Sequence, residues 1–454
     1  MASMPPKAPL VVVVGATGTG KSKLAVELAT KFNGEIINAD AIQMYRGLPI
    51  VTNKIPQDER NGIPHHLLDQ IDLQEKPWTV HDFVEESSKI IDQIRGRGRL
   101  PIVVGGTNYY VYSLLFEHTT IPSGQSDGVL NADIEAEESR DGSHADLTIL
   151  DAPTEDMYAK LQAVDPDIAR TWHPKDRRRI QRSLEIWLKT GKKASEIYAE
   201  QKGSSAGVTE TLRFDPIIFW LDADDAVLKQ RLNTRVDAMV KQGLLEEGKT
   251  MRQFELQAQL QGVELDKTKG IWVAIGYKEL EPWLDTQNES TYGKPPASER
   301  DAPELQLAGI EAIKSGTRQY AKRQNRWVRI KLAEKLQALN SLGKLFLLDC
   351  TNLKAWDEMV AGPSDRVLQQ FLAGKDLPKS SSMSELALRT FTSIAEKGDK
   401  PSRQTRYCEP CKKTLMSEQH YAKHLKSQSH KKVLDGIRKR TQRDLYLNKM
   451  DDNG

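Results

Sequence analysis

Gly15-Ala16-Thr17-Gly18-Thr19-Gly20-Lys21-Ser22 follows the apolar run Leu10–Val14 and opens a helical pattern in which Leu24, Leu28 and Ala29 share a face. A strand that ends in a glycine-rich turn and passes directly into a helix has the form of a phosphate-binding loop. The glycines let backbone N–H groups curl around phosphate oxygens, and the helix N-terminus adds positive potential at the same place. Lys21 supplies a mobile charge and Ser22 a hydroxyl for Mg2+. A loop of this kind usually holds ATP or GTP, so the rest of the chain must say what completes the site.

Outward from the loop, Glu35–Asn38, Pro101–Val104 and Pro216–Leu221 are further apolar runs, with helical patterns such as Lys21–Lys31 between them. That rhythm predicts an α/β fold, a P-loop NTPase-like parallel sheet covered by helices. Residues 121–146 are rich in Gly, Ser, Asp and Glu and break the rhythm, and the pattern is helical from there to 211. We therefore expect a core over residues 8–120 and 212–360 with an inserted helical domain over 121–211. Asp285–Pro303 reads as a surface loop, 361–400 as a loosely ordered linker, and 401–440 as a small zinc-finger module.

An NTPase needs an acid at the end of an apolar strand. Pro101–Val104 runs into Gly105-Gly106-Thr107 instead, but Ile217–Leu221 does end in Asp222. A kinase or ATPase with Asp222 as its metal acid therefore stays open. The second strand leads into Asn38-Ala39-Asp40-Ala41-Ile42-Gln43-Met44-Tyr45, at the edge of a parallel sheet where ligands bind. Asp40 can act there as a general base and Gln43 can read a base edge. Equally, Asp40 can be an ordinary helix cap.

Size and charge narrow the class. The chain has 454 residues, 38% of them hydrophobic and 28% charged, with a mean hydropathy of −0.56. No apolar stretch approaches the roughly 18 residues that span a bilayer, so no membrane role is expected. Three cysteines, Cys350, Cys408 and Cys411, are too few for a disulfide framework and suit a reducing compartment. We expect the cytoplasm, with mitochondrion and nucleus as further compartments that share the protein. Residues 397–449 carry 15 Lys and Arg against 5 Asp and Glu, although the whole chain has a net charge of only +2. A basic tail of this kind meets polyanions or is merely solvated.

Three helical segments carry cations. Arg231 and Arg235 stand four apart on one face, beside the stripe Leu228, Leu232, Val236 and Met239. Over Asp176–Thr190, Ile180, Leu184, Trp187 and Leu188 form one side while Arg178 and Arg182 share another, and Gly191 supplies the stop. Arg318, Lys322, Arg326 and Arg329 make a third stripe. Each fits either phosphate contact or a plain solvated face. His65 and His66 are adjacent, so their side chains diverge and do not make a metal pair. By contrast, Cys408-x2-Cys411-x12-His424-x5-His430 can close a tetrahedral Zn2+ site with no open position, structural rather than catalytic. Tyr407 and Leu425 read as packing residues around it.

Taken in order, these segments resemble the tRNA dimethylallyltransferases, the enzymes that prenylate adenosine 37 of tRNA. The resemblance runs from the loop at Gly15 and the Asp40–Gln43 segment through Gly62-Ile63-Pro64-His65-His66, Gly105-Gly106-Thr107 and Arg179-Ile180-Gln181-Arg182. It continues in Arg231 to Met239, Ile275-Gly276-Tyr277-Lys278-Glu279 and Thr317 to Gln324, covering roughly residues 10–350. It implies that Gly15, Ala16, Thr17, Gly18, Thr19, Gly20, Lys21 and Ser22, with Arg231 and Arg235, hold dimethylallyl diphosphate with Mg2+ at Ser22. It implies catalysis by Asp40, Thr17 and Arg231. It further implies that Asp40, Ala41, Ile42, Gln43, Thr107, Arg178, Arg179, Ile180, Gln181, Arg182, Lys278, Arg318 and Lys322 meet the tRNA anticodon stem-loop. A finger at Cys408, Cys411, His424 and His430 matches the eukaryotic members. Since tRNA would cover much of the surface, we expect a monomer.

Overall fold

Pro9-Leu10-Val11-Val12-Val13-Val14-Gly15 forms strand β1, and every residue from Leu10 to Val14 is fully buried. β-Branched side chains suit an extended backbone, and a strand covered on both faces has no polar side to alternate with. In this computed structural model, which describes residues 4–117, 147–204, 211–287, 302–396, 406–415 and 417–451, β1 is central in a six-stranded sheet. The others are β2 (Gly34–Asn38), β3 (His65–His66), β4 (Leu100–Val104), β5 (Asp215–Asp222) and β6 (Leu345–Asp349). Their order is β3-β2-β4-β1-β5-β6, with every pairing parallel. The expected α/β architecture is present. Parallel neighbours require crossovers; helix α1 (Lys21–Lys31) lies in the one between β1 and β2, α2 (Val80–Gly96) in the one between β3 and β4, and α3 (Asn108–Leu115) follows β4.

Local chemistry sets these helices. α2 starts at a capping box in which Thr79 accepts from the Asp82 N–H and the Asp82 carboxylate accepts in return. α1 starts from the loop itself. Gly15 has φ +136°, and a Cβ there would stand 2.1 Å from the Leu221 carbonyl oxygen. Only glycine lets β1 turn away from β5 at that point.

The chain divides into two compact units, Met1–Asp133 with Glu210–Glu396, and Ile134–Thr209 with Lys397–Gly454. The first includes a segment expected to be a linker. Residues 362–396 instead carry the helices Gly362–Leu372 and Glu385–Ala395, which bury Val367, Leu368 and Phe371, and Ala387, Phe391 and Ile394. Those apolar residues fall at helical spacing, hidden by the Gly, Ser and Lys around them. Pro363 sits in the first turn of its helix, where a missing N–H costs nothing. Residues 397–400 of that expected linker lie outside the described residues, as do 121–146 and most of the loop expected at Asp285–Pro303. The helix Ala302–Trp327 begins inside that loop's expected end.

In the second unit, the helices Thr154–Val164 and Arg177–Thr190 pack through Met157, Leu161, Ile180, Leu184 and Ile186. The second of these starts at Asp176, whose carboxylate accepts from the Arg179 N–H, and stops at Gly191 with φ +70°.

Candidate active site

The loop after β1 borders a cavity of about 500 Å³. Thr17, Gly18, Gly20, Lys21 and Ser22 line it, while Gly15, Ala16 and Thr19 are its buried backing. The Thr19 hydroxyl donates to the Ala16 carbonyl at 2.8 Å, and the Lys21 ammonium donates to the same oxygen at 2.8 Å. The surrounding walls lower the Lys21 pKa to about 8 by desolvation, which the nearby Asp40 carboxylate partly offsets. A lysine in that state is poised to gain from an anion.

Asp40 stands on the cavity wall just beyond β2. Its carboxylate accepts from the Ile42 N–H at 3.2 Å, and Asn38 holds the same turn by bonding the Asp40 backbone and the Leu67 carbonyl. The residues after Asp40 form turns, not a helix, so it caps no helix. Burial raises its pKa, opposed by Lys21 and by the N–H groups of Ile42, Gln43 and Gly106. Thr107 tethers the segment, accepting from the Ala41 N–H at 3.0 Å, and Gln43 donates to the Asn53 carbonyl at 3.1 Å. Ala41, Ile42, Gln43 and Thr107 all reach the cavity.

The two arginines of the helix Asp225–Gln242 separate. Arg235 lines the cavity and bonds the Asn53 side chain. Arg231 lies behind the loop, donating to the carbonyls of Gly18 at 3.3 Å, Cys350 at 3.0 Å and Thr351 at 3.2 Å. The cavity's further walls come from residues to which no role had been assigned. Tyr45, Trp78, Tyr109, Tyr110 and Trp327 give it an aromatic surface, with Phe83 stacked on Tyr110 at 4.1 Å. Gln324 and Tyr320 reach it from the helix Ala302–Trp327. Tyr320, Gln324 and Trp327 share one face of that helix at spacings of 4 and 3, but the other positions come from turns and α3 and have no common period.

Asp222 does not belong to this site. Its carboxylate accepts from the Ala223 N–H at 2.8 Å and from the Asn325 amide, and burial pushes its pKa up to about 6. The acid that an ATPase would need is therefore committed to holding β5 against the helix Ala302–Trp327. His66 pairs with Glu35 at 2.6 Å while His65 faces the Ile63 carbonyl at 2.8 Å, so the two histidines do diverge.

Of the cations expected at RNA, Arg178, Lys278 and Lys322 are exposed. Arg318 donates to Asn233 at 2.6 Å, Arg182 to Glu185 at 2.9 Å, and Arg179 pairs with Asp176 at 3.4 Å while lying over the Trp172 ring. Gln181 is half-buried. Ile180 was expected among the RNA contacts, but it is fully buried beside Leu184. An apolar residue three to four positions from other apolar residues goes to the core.

The second candidate site is a metal centre. Ligand atoms of Cys408, Cys411, His424 and His430 all lie within 4.8 Å of one another. Cys408 comes from the strand Arg406–Cys408, Cys411 from the turn after it, and the histidines from the helices Glu418–Leu425 and Gln428–Asp451. His424 Nε2 is buried with no hydrogen-bond partner among the described residues. An orphaned imidazole nitrogen beside two thiols is the donor set of a tetrahedral Zn2+ site. Tyr407 and Leu425, expected to pack around it, are exposed.

Comparison with known proteins agrees with this geometry. A family profile described as IPP transferase matches residues 43–331, and one for a zinc-finger of C2H2 type matches residues 406–430. The chain is 36% identical over 452 residues to the tRNA dimethylallyltransferase of Schizosaccharomyces pombe, covering 97% of this chain and 98% of that protein. It is 33% identical over 444 residues to that of Homo sapiens, covering 96% and 87%. A crystal structure of a eukaryotic dimethylallyltransferase acting on tRNA superposes with a TM-score of 0.75 at 32% identity, covering 97% of this chain and all of that one. Among the described residues, no helix is long and apolar enough to cross a membrane.

Proposed function

We infer the function from one premise: the chain belongs to the IPP transferase family. It is a transferase that acts as a tRNA dimethylallyltransferase, moving the five-carbon allyl group of dimethylallyl diphosphate to N6 of adenosine 37 in the tRNA anticodon loop. One observation carries the reading. Asp40 and the phosphate loop with Thr17, Lys21 and Ser22 share one cavity, and its remaining wall is largely aromatic and apolar. That cavity suits a diphosphate, a short hydrocarbon and a planar base at once.

The reaction is a substitution at the allyl carbon. The N6 lone pair forms the new N–C bond while the C–O bond to diphosphate breaks, and that bonding pair leaves with the pyrophosphate. Because the amine's lone pair is delocalised into the adenine ring, leaving-group stabilisation is the larger lever. Lys21, the Thr17 hydroxyl and Arg235 provide it, while Arg231 holds the loop in shape through Gly18. Ser22, whose hydroxyl is the side-chain oxygen donor next to Lys21 in the loop, would hold Mg2+, and that ion would supply charge neutralisation for the departing diphosphate. Asp40 takes the N6 proton. The adenine reaches this cavity extruded from its stack, and the aromatic walls receive it.

Arg178, Arg179, Gln181 and Arg182, with Lys278, Arg318, Lys322 and the basic zinc finger, grip the RNA backbone. The protein works as a monomer. Its zinc-binding thiolates need a reducing compartment, and we assign the cytoplasm first, with mitochondrion and nucleus as further compartments that share the protein. Incubation with labelled dimethylallyl diphosphate and unmodified tRNA should put label into the RNA without consuming nucleoside triphosphate. Absence of transfer, or tRNA-stimulated ATP hydrolysis in its place, would overturn this reading.

A further inference from the structure

Asp40 and the phosphate loop follow different strands, yet one chain of hydrogen bonds connects them. The Thr17 N–H donates to Gln324 Oε1 at 2.8 Å, and Gln324 Nε2 donates to the Gly106 carbonyl at 3.1 Å. The Tyr320 hydroxyl donates to the same carbonyl at 3.2 Å, and the Gly106 N–H bonds the Asp40 carboxylate. Gln324 is 2% exposed and lies 307 positions from Thr17. A Cβ at Gly106 would meet Gln324 Nε2 at 2.5 Å, Asp40 Oδ2 at 2.9 Å and the Tyr320 hydroxyl at 3.2 Å. Gly106 has no side chain where three functional groups converge.

We propose that Gln324 is a positioning residue for the transfer reaction, a strut that sets the separation between the leaving-group loop and the acceptor base. The chemistry of its partners dictates the residue type. The Thr17 N–H can only donate and the Gly106 carbonyl can only accept, so the strut needs an acceptor and a donor side by side. Glutamine meets that need, and so does a protonated glutamic acid, but a carboxylate does not. A strut at a buried position of a helix holds its ends far more firmly than a loop would. In an in-line displacement an error of about 1 Å between reacting centres costs about 10²-fold in rate. The Thr17 amide is thereby committed to the protein, which leaves the Thr17 hydroxyl to face the diphosphate.

This inference rests on the proposed reaction, and the test separates the two. Single-turnover transfer of labelled dimethylallyl from its diphosphate to tRNA is measured for the full-length wild type, Gln324→Ala and Gln324→Glu. If the wild type transfers no label, the reaction itself is wrong. If it does, Gln324→Ala should be slower by about 10- to 100-fold, while its affinities for the diphosphate and for tRNA change by less than about threefold. The Gln324→Glu variant gives a readout that loss of packing does not predict. Its rate relative to wild type at the same pH should rise as pH falls from about 8 to about 6, because a buried carboxyl regains its proton and with it the donor. Asp40, Lys21, Tyr320 and Arg323 surround this position, and taking the ratio to wild type cancels their own titration to first order. Wild-type rate in Gln324→Ala, or a Gln324→Glu ratio that stays flat with pH, would overturn the strut. Should the alanine variant fail to fold, the pH-dependent ratio decides alone.

Discussion

The donors of the zinc centre span 22 positions, from Cys408 to His430, whereas the lining of the candidate active-site cavity runs from Thr17 to Trp327. The first site is made by local spacing. One short hairpin and two helices bring four ligands together, and the metal holds what so small a core cannot. The second site needs the whole sheet, with β1 ending in the loop, β2 in Asp40, β4 in Gly106, and a helix from beyond residue 300 across the top. The two regions should therefore fail differently. Damage to the cavity should act on the chemical step, and damage to the finger on binding.

The largest separation is expected at Asp40. Asp40→Asn keeps an acceptor for the Ile42 N–H, so the turn should survive, but an amide does not take up the N6 proton. Single-turnover transfer should fall by about 10²–10⁴-fold with tRNA and diphosphate binding near normal. A fully active Asp40→Asn protein would reduce this carboxylate to a turn-former. Next comes Cys408→Ser, or removal of zinc by a chelator. The finger should unfold and tRNA affinity should drop by about 10- to 100-fold, with a shallower dependence on salt because basic contacts are lost. The single-turnover rate at saturating tRNA should hold; if it collapses as well, the two sites are not separate.

A smaller effect is expected from pH. The free protein's Lys21 has its pKa lowered to about 8, and a bound diphosphate favours the charged form, so binding takes up a proton at higher pH. Affinity for dimethylallyl diphosphate should be flat below about pH 8 and weaken by up to about tenfold per pH unit above it. An unchanged dissociation constant between about pH 8 and 9 would remove Lys21 from the diphosphate. The smallest effect on transfer is expected from Leu368→Ala, which empties a fully buried position in the segment read from sequence as a linker. Transfer at 25 °C should stay within about twofold while the core loses about 2–5 kcal/mol, seen as a lower melting temperature. The zinc-bound finger should be untouched, and an unchanged melting temperature would restore the linker reading.

The features legible in the sequence are those made by neighbours along the chain. The glycines and lysine of Gly15–Ser22 are one continuous turn, the buried strand Leu10–Val14 is one β-branched run, and the zinc ligands follow a fixed spacing. Backbone geometry and ligand spacing act over a few residues, so composition and order suffice to specify them. What the tertiary structure alone decided involves contacts between distant segments. Arg231 and Arg235 share a helix face, yet one grips the carbonyls of Cys350 and Thr351 while the other lines the cavity, because β6 ends beside the first. Ile180 sits among arginines in sequence but belongs to a core, and Asp222 is taken by Asn325, 103 positions away. Gln324 closes the Thr317–Gln324 segment that carries the resemblance, but nothing in that segment says what its side chain bonds. Its role exists only because the fold sets the Thr17 N–H and the Gly106 carbonyl one amide apart.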